Sequence, residues 1–135
     1  MGVDYFLERR EMGIINIGNA GKVTVDGTDY VLNFTDGLYF GKGAKKIVFS
    51  SADASKPAKF YLNSAPAHMI YPTVKVERKS ITPNHLGSID SSNQRNIYKY
   101  FHPEGVKSCQ LVMGMTALEP GNMWTSMPCH THDSW

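Results

Sequence analysis

An all-β fold, a sandwich or barrel of short strands, is what the sequence predicts, and three observations carry that reading. Glycine (12) and proline (7) punctuate the chain and cut it into pieces that favour short strands over long helices. Asp26-Gly27 lies between the alternating run Lys22-Val23-Thr24-Val25 and the apolar run Tyr30-Val31-Leu32-Asn33-Phe34. An Asp-Gly pair in that position is the strongest short-range hairpin signal, because both central turn positions need positive φ. No helix-length stretch repeats its apolar residues at the 3.6-residue period.

The elements follow in order. Tyr5-Phe6-Leu7 leads into a strand over Gly13-Ile14-Ile15-Asn16-Ile17-Gly18, and the hairpin of 22–25 and 30–34 comes next. Leu38-Tyr39-Phe40 is a strand ended by Gly41-Lys42-Gly43, and Lys46-Ile47-Val48-Phe49-Ser50 is another. Ser51 to Lys56 reads as a polar turn, and Ala58-Lys59-Phe60-Tyr61-Leu62 as a further strand. From Tyr71 to Arg95, Pro72, Pro83, Gly87 and Ser91-Ser92-Asn93 mark a connector. A connector of that length is uncommon inside one compact domain and suggests a crossing between two units. Strand character returns over Asn96 to Phe101 and over Cys109 to Met115, before a turn at Leu118-Glu119-Pro120-Gly121.

At 135 residues, 41% hydrophobic and 19% charged, the composition is that of an ordinary globular chain of about one domain. The net charge is +2, and Glu8-Arg9-Arg10-Glu11 is mixed rather than a cationic block. A nucleic-acid partner is therefore not expected, since it needs clustered cations to displace counterions from phosphate. No apolar run approaches the ~20 residues of a membrane helix, and Met1 to Arg10 carries charge where a signal peptide has its apolar core. Two cysteines, Cys109 and Cys129, do not make a disulfide framework, so a cytoplasmic location is expected.

Pro128-Cys129-His130-Thr131-His132 is the stretch that carries chemistry. On a strand, residues two apart share a face, about 6–7 Å apart at Cα. His130 and His132 then project together as two imidazole ligands for one metal ion, while Cys129 faces the other way and reads as core packing. Two imidazoles suit several metals and do not choose among them. On their own they could equally be two surface histidines. Pro120-Gly121 upstream of Pro-x-His-x-His resembles the first metal motif of the cupin superfamily, whose site is completed by a nearby glutamate and a later histidine.

A closer resemblance runs along the chain. Asp4 to Ile14 (DYFLERREMGI), Leu38 to Lys45 (LYFGKGAK), Pro57 to His68 (PAKFYLNSAPAH), Cys109 to Thr116 (CQLVMGMT) and Met127 to His132 (MPCHTH) occur in sequence order. Together they resemble the 5-keto-4-deoxyuronate isomerase family, also called 4-deoxy-L-threo-5-hexosulose-uronate ketol-isomerases, from residue 4 to residue 132. The resemblance implies a cupin-type jelly roll: part of an N-terminal unit over 1–70, a crossing over 71–105, and over 106–135 the start of a second unit. It implies a zinc site in that second unit, with His130 and His132 as its first two ligands. It further implies interconversion of 5-dehydro-4-deoxy-D-glucuronate and 3-deoxy-D-glycero-2,5-hexodiulosonate in pectin breakdown, with a small-molecule uronate as substrate and a homo-oligomeric assembly. The tail Asp133-Ser134-Trp135 departs from the family, and the glutamate and later histidine are not in the sequence. An incomplete member with an incomplete zinc site, of little or no activity as this chain alone, is therefore expected. A non-catalytic cupin module that binds a sugar acid or a partner protein, or a fragment without independent function, shares the same expected fold.

Tyr98, Lys99, Tyr100 and His102 are polar candidates for a general base, although alternate strand positions that pack or face water are the favoured explanation of them. Lys99 or Arg95 could meet a substrate carboxylate. His68 reads as structural or inter-subunit, His85 as solvated, and Cys109 as buried and inert on an apolar face. Gly41-Lys42-Gly43 lacks the spacing and following helix of a phosphate loop.

Overall fold

In the computed structural model, which describes residues 2–126 and 131, the chain is built from antiparallel strands. They are β1 (Arg10–Asn16), β2 (Gly21–Val25), β3 (Thr28–Leu32), β4 (Gly37–Phe40), β5 (Ile47–Ser51), β6 (Phe60–Pro66), β7 (Val74–Val76), β8 (Asn84–Leu86), β9 (Arg95–Phe101) and β10 (Met113–Leu118), with one 3-10 turn at Arg78–Ser80. The all-β expectation holds: the strands form sheets in the orders β6-β1-β4-β7, β3-β2-β5 and β10-β9-β8.

The four-stranded sheet is the middle layer. Successive residues of a strand point to opposite faces, and both faces of its central strands β1 and β4 are covered. Ile14, Leu38 and Phe40 pack with Val23, Val25 and Leu32 of the β3-β2-β5 sheet. Ile15 and Tyr39 pack on the other side with Tyr98, Tyr100, Phe101 and Met113 of the β10-β9-β8 sheet. This double burial explains why β4 is an unbroken apolar run, Leu38-Tyr39-Phe40, rather than an alternating one. Gly13 makes room for the second layer: a Cβ there would stand 2.6 Å from Phe101 Cε2 and would also clash with Met113 Sδ.

The hairpin forms as the sequence predicts. Val25 pairs with Thr28 across Asp26 (φ 47) and Gly27 (φ 86), the positive-φ pair of a two-residue turn. The connector expected over 71–95 carries more structure than its prolines suggest. Val74-Lys75-Val76 pairs with β4 as β7, and Asn84–Leu86 pairs with β9 as β8. Three residues are too few to show a period, so neither strand stood out. The strand expected at Cys109 begins instead at Met113, because the amides of 109–111 are used elsewhere, as described below.

Candidate functional site

A groove of about 360 Å3 opens where the stretch from the 3-10 turn to β8 meets the end of β9. Val76, Ile81 and Val106 give it apolar walls, and Ser80, Thr82 and Asn84 give it polar ones. Alternation along β9 sends Tyr98 inward against the core and leaves Lys99 half-exposed at the groove. Beyond Phe101 the chain turns back tightly: the Gly105 amide donates to the His102 carbonyl at 2.8 Å, and that of His102 to Val106 at 3.2 Å. The turn places the exposed Glu104 carboxylate 3.2 Å from Lys99 Nζ and 3.9 Å from His102 Nδ1. Lys99, as hydrogen-bond donor and as charge, holds the Glu104 carboxyl below its ordinary range, with a smaller contribution from His102. The groove thus offers the Lys99–Glu104 ion pair, one imidazole and several hydroxyl or amide groups, a polar set for a small hydroxylated ligand.

Among the residues singled out from sequence, Lys99, Tyr100 and His102 come together at this groove. Tyr98 does not. It is buried, and the Arg78 guanidinium lies 3.9 Å over its ring and donates to its hydroxyl at 2.5 Å. The Tyr100 hydroxyl is committed to the carbonyl of Thr35. Burial pushes Tyr100 up to about 12, so it acts as a donor at neutral pH. Thr35 itself has a φ of 67, a costly conformation for a β-branched residue. Arg95 stands at the start of β9 and donates to the Asn93 carbonyl at 2.9 Å, away from the groove lining. His85 is exposed on β8, with Nδ1 2.9 Å from Asn96 Oδ1.

The residue that sequence reasoning missed is Glu11. It is fully buried in β1. Its Oε1 accepts the amides of Gln110 (2.8 Å) and Leu111 (2.6 Å), and its Oε2 accepts the Cys109 amide (2.8 Å) and the Tyr39 hydroxyl (2.5 Å). Burial pushes the Glu11 carboxyl up, but the four donors together outweigh it and hold the group below the ordinary carboxylate range. Burial and the neighbouring carboxylate push Tyr39 the other way, so it stays protonated as a donor. A signal was present in the pattern: Glu11 shares its strand face with Gly13 and Ile15, and that face is buried.

This anchoring also changes the reading of Cys109. It is not a buried strand residue; it lies half-buried in the loop before β10. Its Sγ is 3.2 Å from Nδ1 of the exposed His68. His130, His132 and Cys129 lie outside the described residues. Among the described residues no group of three or more His, Cys, Asp or Glu side chains could hold a metal ion, and none of their helices is long and apolar enough to cross a membrane.

Layered antiparallel sheets with a polar groove the size of a small metabolite define the class: an all-β sandwich protein of cupin-like type. The chain belongs to the KduI/IolB family, whose pattern it matches over residues 2–135. It is 60% identical over 133 residues to a protein of Caldicellulosiruptor bescii, covering 98% of this chain and 48% of that one. It is 60% identical over 130 residues to one of Lachnoclostridium phytofermentans (96% and 47%), and 56% identical over 133 residues to one of an Enterobacter species (98% and 48%). Each of these relatives is named 4-deoxy-L-threo-5-hexosulose-uronate ketol-isomerase. The chain spans about half the length of these curated relatives.

Proposed function

We propose that this sequence forms part of a uronate ketol-isomerase that interconverts 5-dehydro-4-deoxy-D-glucuronate and 3-deoxy-D-glycero-2,5-hexodiulosonate in the cytoplasm. The single observation that carries the reading is 60% identity over 98% of the chain to a protein so named. In this reading His130 and His132 supply two imidazoles to a zinc ion, whose service to an isomerase is Lewis-acid polarisation of the substrate's carbonyl. A catalytic zinc takes three protein ligands and an open position. The described residues by themselves hold no group of three such ligands. Lys99, the cation of the groove, is our candidate for the substrate carboxylate, which would take the place of the exposed Glu104 carboxylate now paired with it. A homo-oligomer is part of the same proposal.

The test compares the whole protein its gene encodes with the 135-residue polypeptide. The whole protein is expected to isomerise the uronate and to lose that activity and its zinc in His130→Ala. The polypeptide alone is expected to retain well under one zinc per chain and to turn over little substrate. A zinc-replete whole protein that binds the uronate without converting it overturns the isomerase reading in favour of a sugar-acid-binding module.

A further inference from the structure

We propose that Glu104 is a specificity-determining residue of the groove at Lys99: a tethered carboxylate that occupies the ammonium group until a hydroxylated acid displaces it. The inference rests on the reading of Lys99 as partner of the substrate carboxylate, and it adds a second residue that acts with the opposite sign. Glu104 Oε2 lies 3.2 Å from Lys99 Nζ. The rest of the lining adds Ser80, Thr82 and Asn84 but no second lysine and no arginine.

Both residues reach the groove from fixed backbone. Lys99 sits on β9 opposite Gly114 of β10. Glu104 lies in the turn that follows. There the Gly105 amide donates to the His102 carbonyl at 2.8 Å, the His102 amide donates to the Val106 carbonyl at 3.2 Å, and Phe101 bridges to Val106. The Glu104 amide donates to His102 Nδ1 at 3.3 Å. The Glu104 side chain itself is 77% exposed, and among the described residues its carboxylate is hydrogen-bonded to Lys99 alone. Rotation about its own χ angles therefore carries the carboxylate off Lys99 without moving the turn.

One ammonium group cannot serve two carboxylates at close range without setting like charges against each other. An incoming acid must therefore take the place of Glu104, whereas a neutral sugar leaves the pair intact. An exposed ion pair is weak, so a well-held acid displaces it readily. A simple anion does not, because a tethered carboxylate competes at high effective concentration. An acid whose hydroxyls also meet Ser80, Thr82 and Asn84 has further contacts to set against that competition. A second groove of about 360 Å3, with Tyr71, Lys107 and Val112 among its walls, supplies the contrast: no carboxylate lines it.

The test is calorimetric titration of the whole protein with D-galacturonate and with D-galactose, which share their ring hydroxyls and differ in the carboxylate. Glu104→Gln is expected to tighten D-galacturonate about two- to fivefold, the strength of an exposed ion pair, and to leave D-galactose unchanged. In a Lys99→Gln background, which weakens D-galacturonate about tenfold, the same substitution is expected to lose most of that gain, because the effect belongs to the pair. Lys107→Gln, which removes the cation of the second groove, is expected to change neither ligand. D-galacturonate binding that is indifferent to Lys99→Gln, or weakened instead by Lys107→Gln, overturns the reading of Lys99 and this inference with it. Binding that needs Lys99 but is not tightened by Glu104→Gln, or is tightened equally for D-galactose, overturns this inference alone.

Discussion

Replacing Glu11 by glutamine tests the central electrostatic claim with little change of volume. In the native chain each carboxylate oxygen accepts two hydrogen bonds: Oε1 from the amides of Gln110 and Leu111, Oε2 from the Cys109 amide and the Tyr39 hydroxyl. A glutamine carbonyl can keep one of those pairs. Its NH2 group then faces the other. If it replaces Oε2, the Tyr39 hydroxyl can rotate to accept, but the Cys109 N–H is left facing another donor in a buried site. A buried donor without a partner costs about 1–3 kcal/mol, and bonds to a charged acceptor contribute about 1.5–3 kcal/mol each where neutral ones contribute about 1. Because the four bonds share one group, their losses do not add fully. A net loss of about 3 kcal/mol follows, corresponding to a fall in Tm of roughly 10 °C for a chain of this size. Urea denaturation gives the free energy, and hydrogen exchange should show the amides of 109–111 losing protection before the rest of the core. The pH dependence supplies a second check. The folded carboxyl titrates below its ordinary value of 4.5. The stability it adds is therefore complete above about pH 4.5 and disappears as the pH falls through the folded value. Wild type should lose stability on acidification more steeply than Glu11→Gln. A variant within about 0.5 kcal/mol of wild type, with the same acid profile, would refute the reasoning.

Gly13→Ala should destabilise by about 1–3 kcal/mol, because the new methyl meets the fully buried Phe101 ring at 2.6 Å; an unchanged denaturation midpoint contradicts the tight approach of the two layers. In the whole protein, Lys99→Gln should raise KM for the uronate about tenfold and change kcat less, as loss of one charge-assisted ground-state contact predicts; an unchanged KM removes Lys99 from the substrate. Strand β6 pairs only with β1 among the described strands and exposes Tyr61 and Leu62, and such an edge invites pairing with another chain. Sedimentation of the 135-residue polypeptide should show concentration-dependent association; a single monomeric species over a wide concentration range counts against it.

What could be read from sequence followed the length of each signal. The hairpin at Asp26-Gly27 was legible because a two-residue turn needs positive φ at both positions and few residue pairs supply it. β4 was legible as an apolar run ended by glycines, and β9 as an aromatic-rich stretch following the connector. β7 and β8 were not, since a three-residue strand is defined by its partners rather than by its own pattern. The start of β10 was misplaced for a different reason: Cys109, Leu111, Met113 and Met115 do alternate, but the amides of 109–111 are drawn to a carboxylate about a hundred residues earlier in the chain. A non-local acceptor overrides local strand preference and leaves no trace in the local pattern. The meeting of Cys109 with His68 follows from the same displacement. Of the general-base candidates Tyr98, Lys99, Tyr100 and His102, the last three line one groove, but the commitment of the Tyr100 hydroxyl to Thr35 depends on a distant turn. The two histidines at 130 and 132 lie outside the described residues.

The layered arrangement limits where chemistry can sit. The central strands β1 and β4 are covered on both faces and leave no face for a ligand, so the middle of the β6-β1-β4-β7 layer supports a site, and only its edge strand β7 reaches one, through Val76 in the first groove. Both larger grooves accordingly draw on the stretch from Lys99 to Val112, where the outermost sheet and its loops meet solvent. That stretch is polar and rich in turns, and apolar burial alone does not fix it: Leu111 and Met113 enter the core, whereas, of Pro103 to Gln110, Val106 alone is among the hydrophobics packed against it. Glu11 supplies the missing constraint by reaching from the middle layer to three consecutive amides. A buried anion is an expensive fastener unless every lone pair it presents is answered, and here two donors meet each oxygen. The cost of burying Glu11 is thus offset by fixing the loop that carries Cys109 and leads through β10 towards His130 and His132. Glu11→Gln in the whole protein is then expected to loosen the 109–111 loop and, on the zinc proposal for His130 and His132, to lower zinc affinity without touching a proposed ligand, whereas a variant with wild-type zinc affinity and a loosened loop would separate the two.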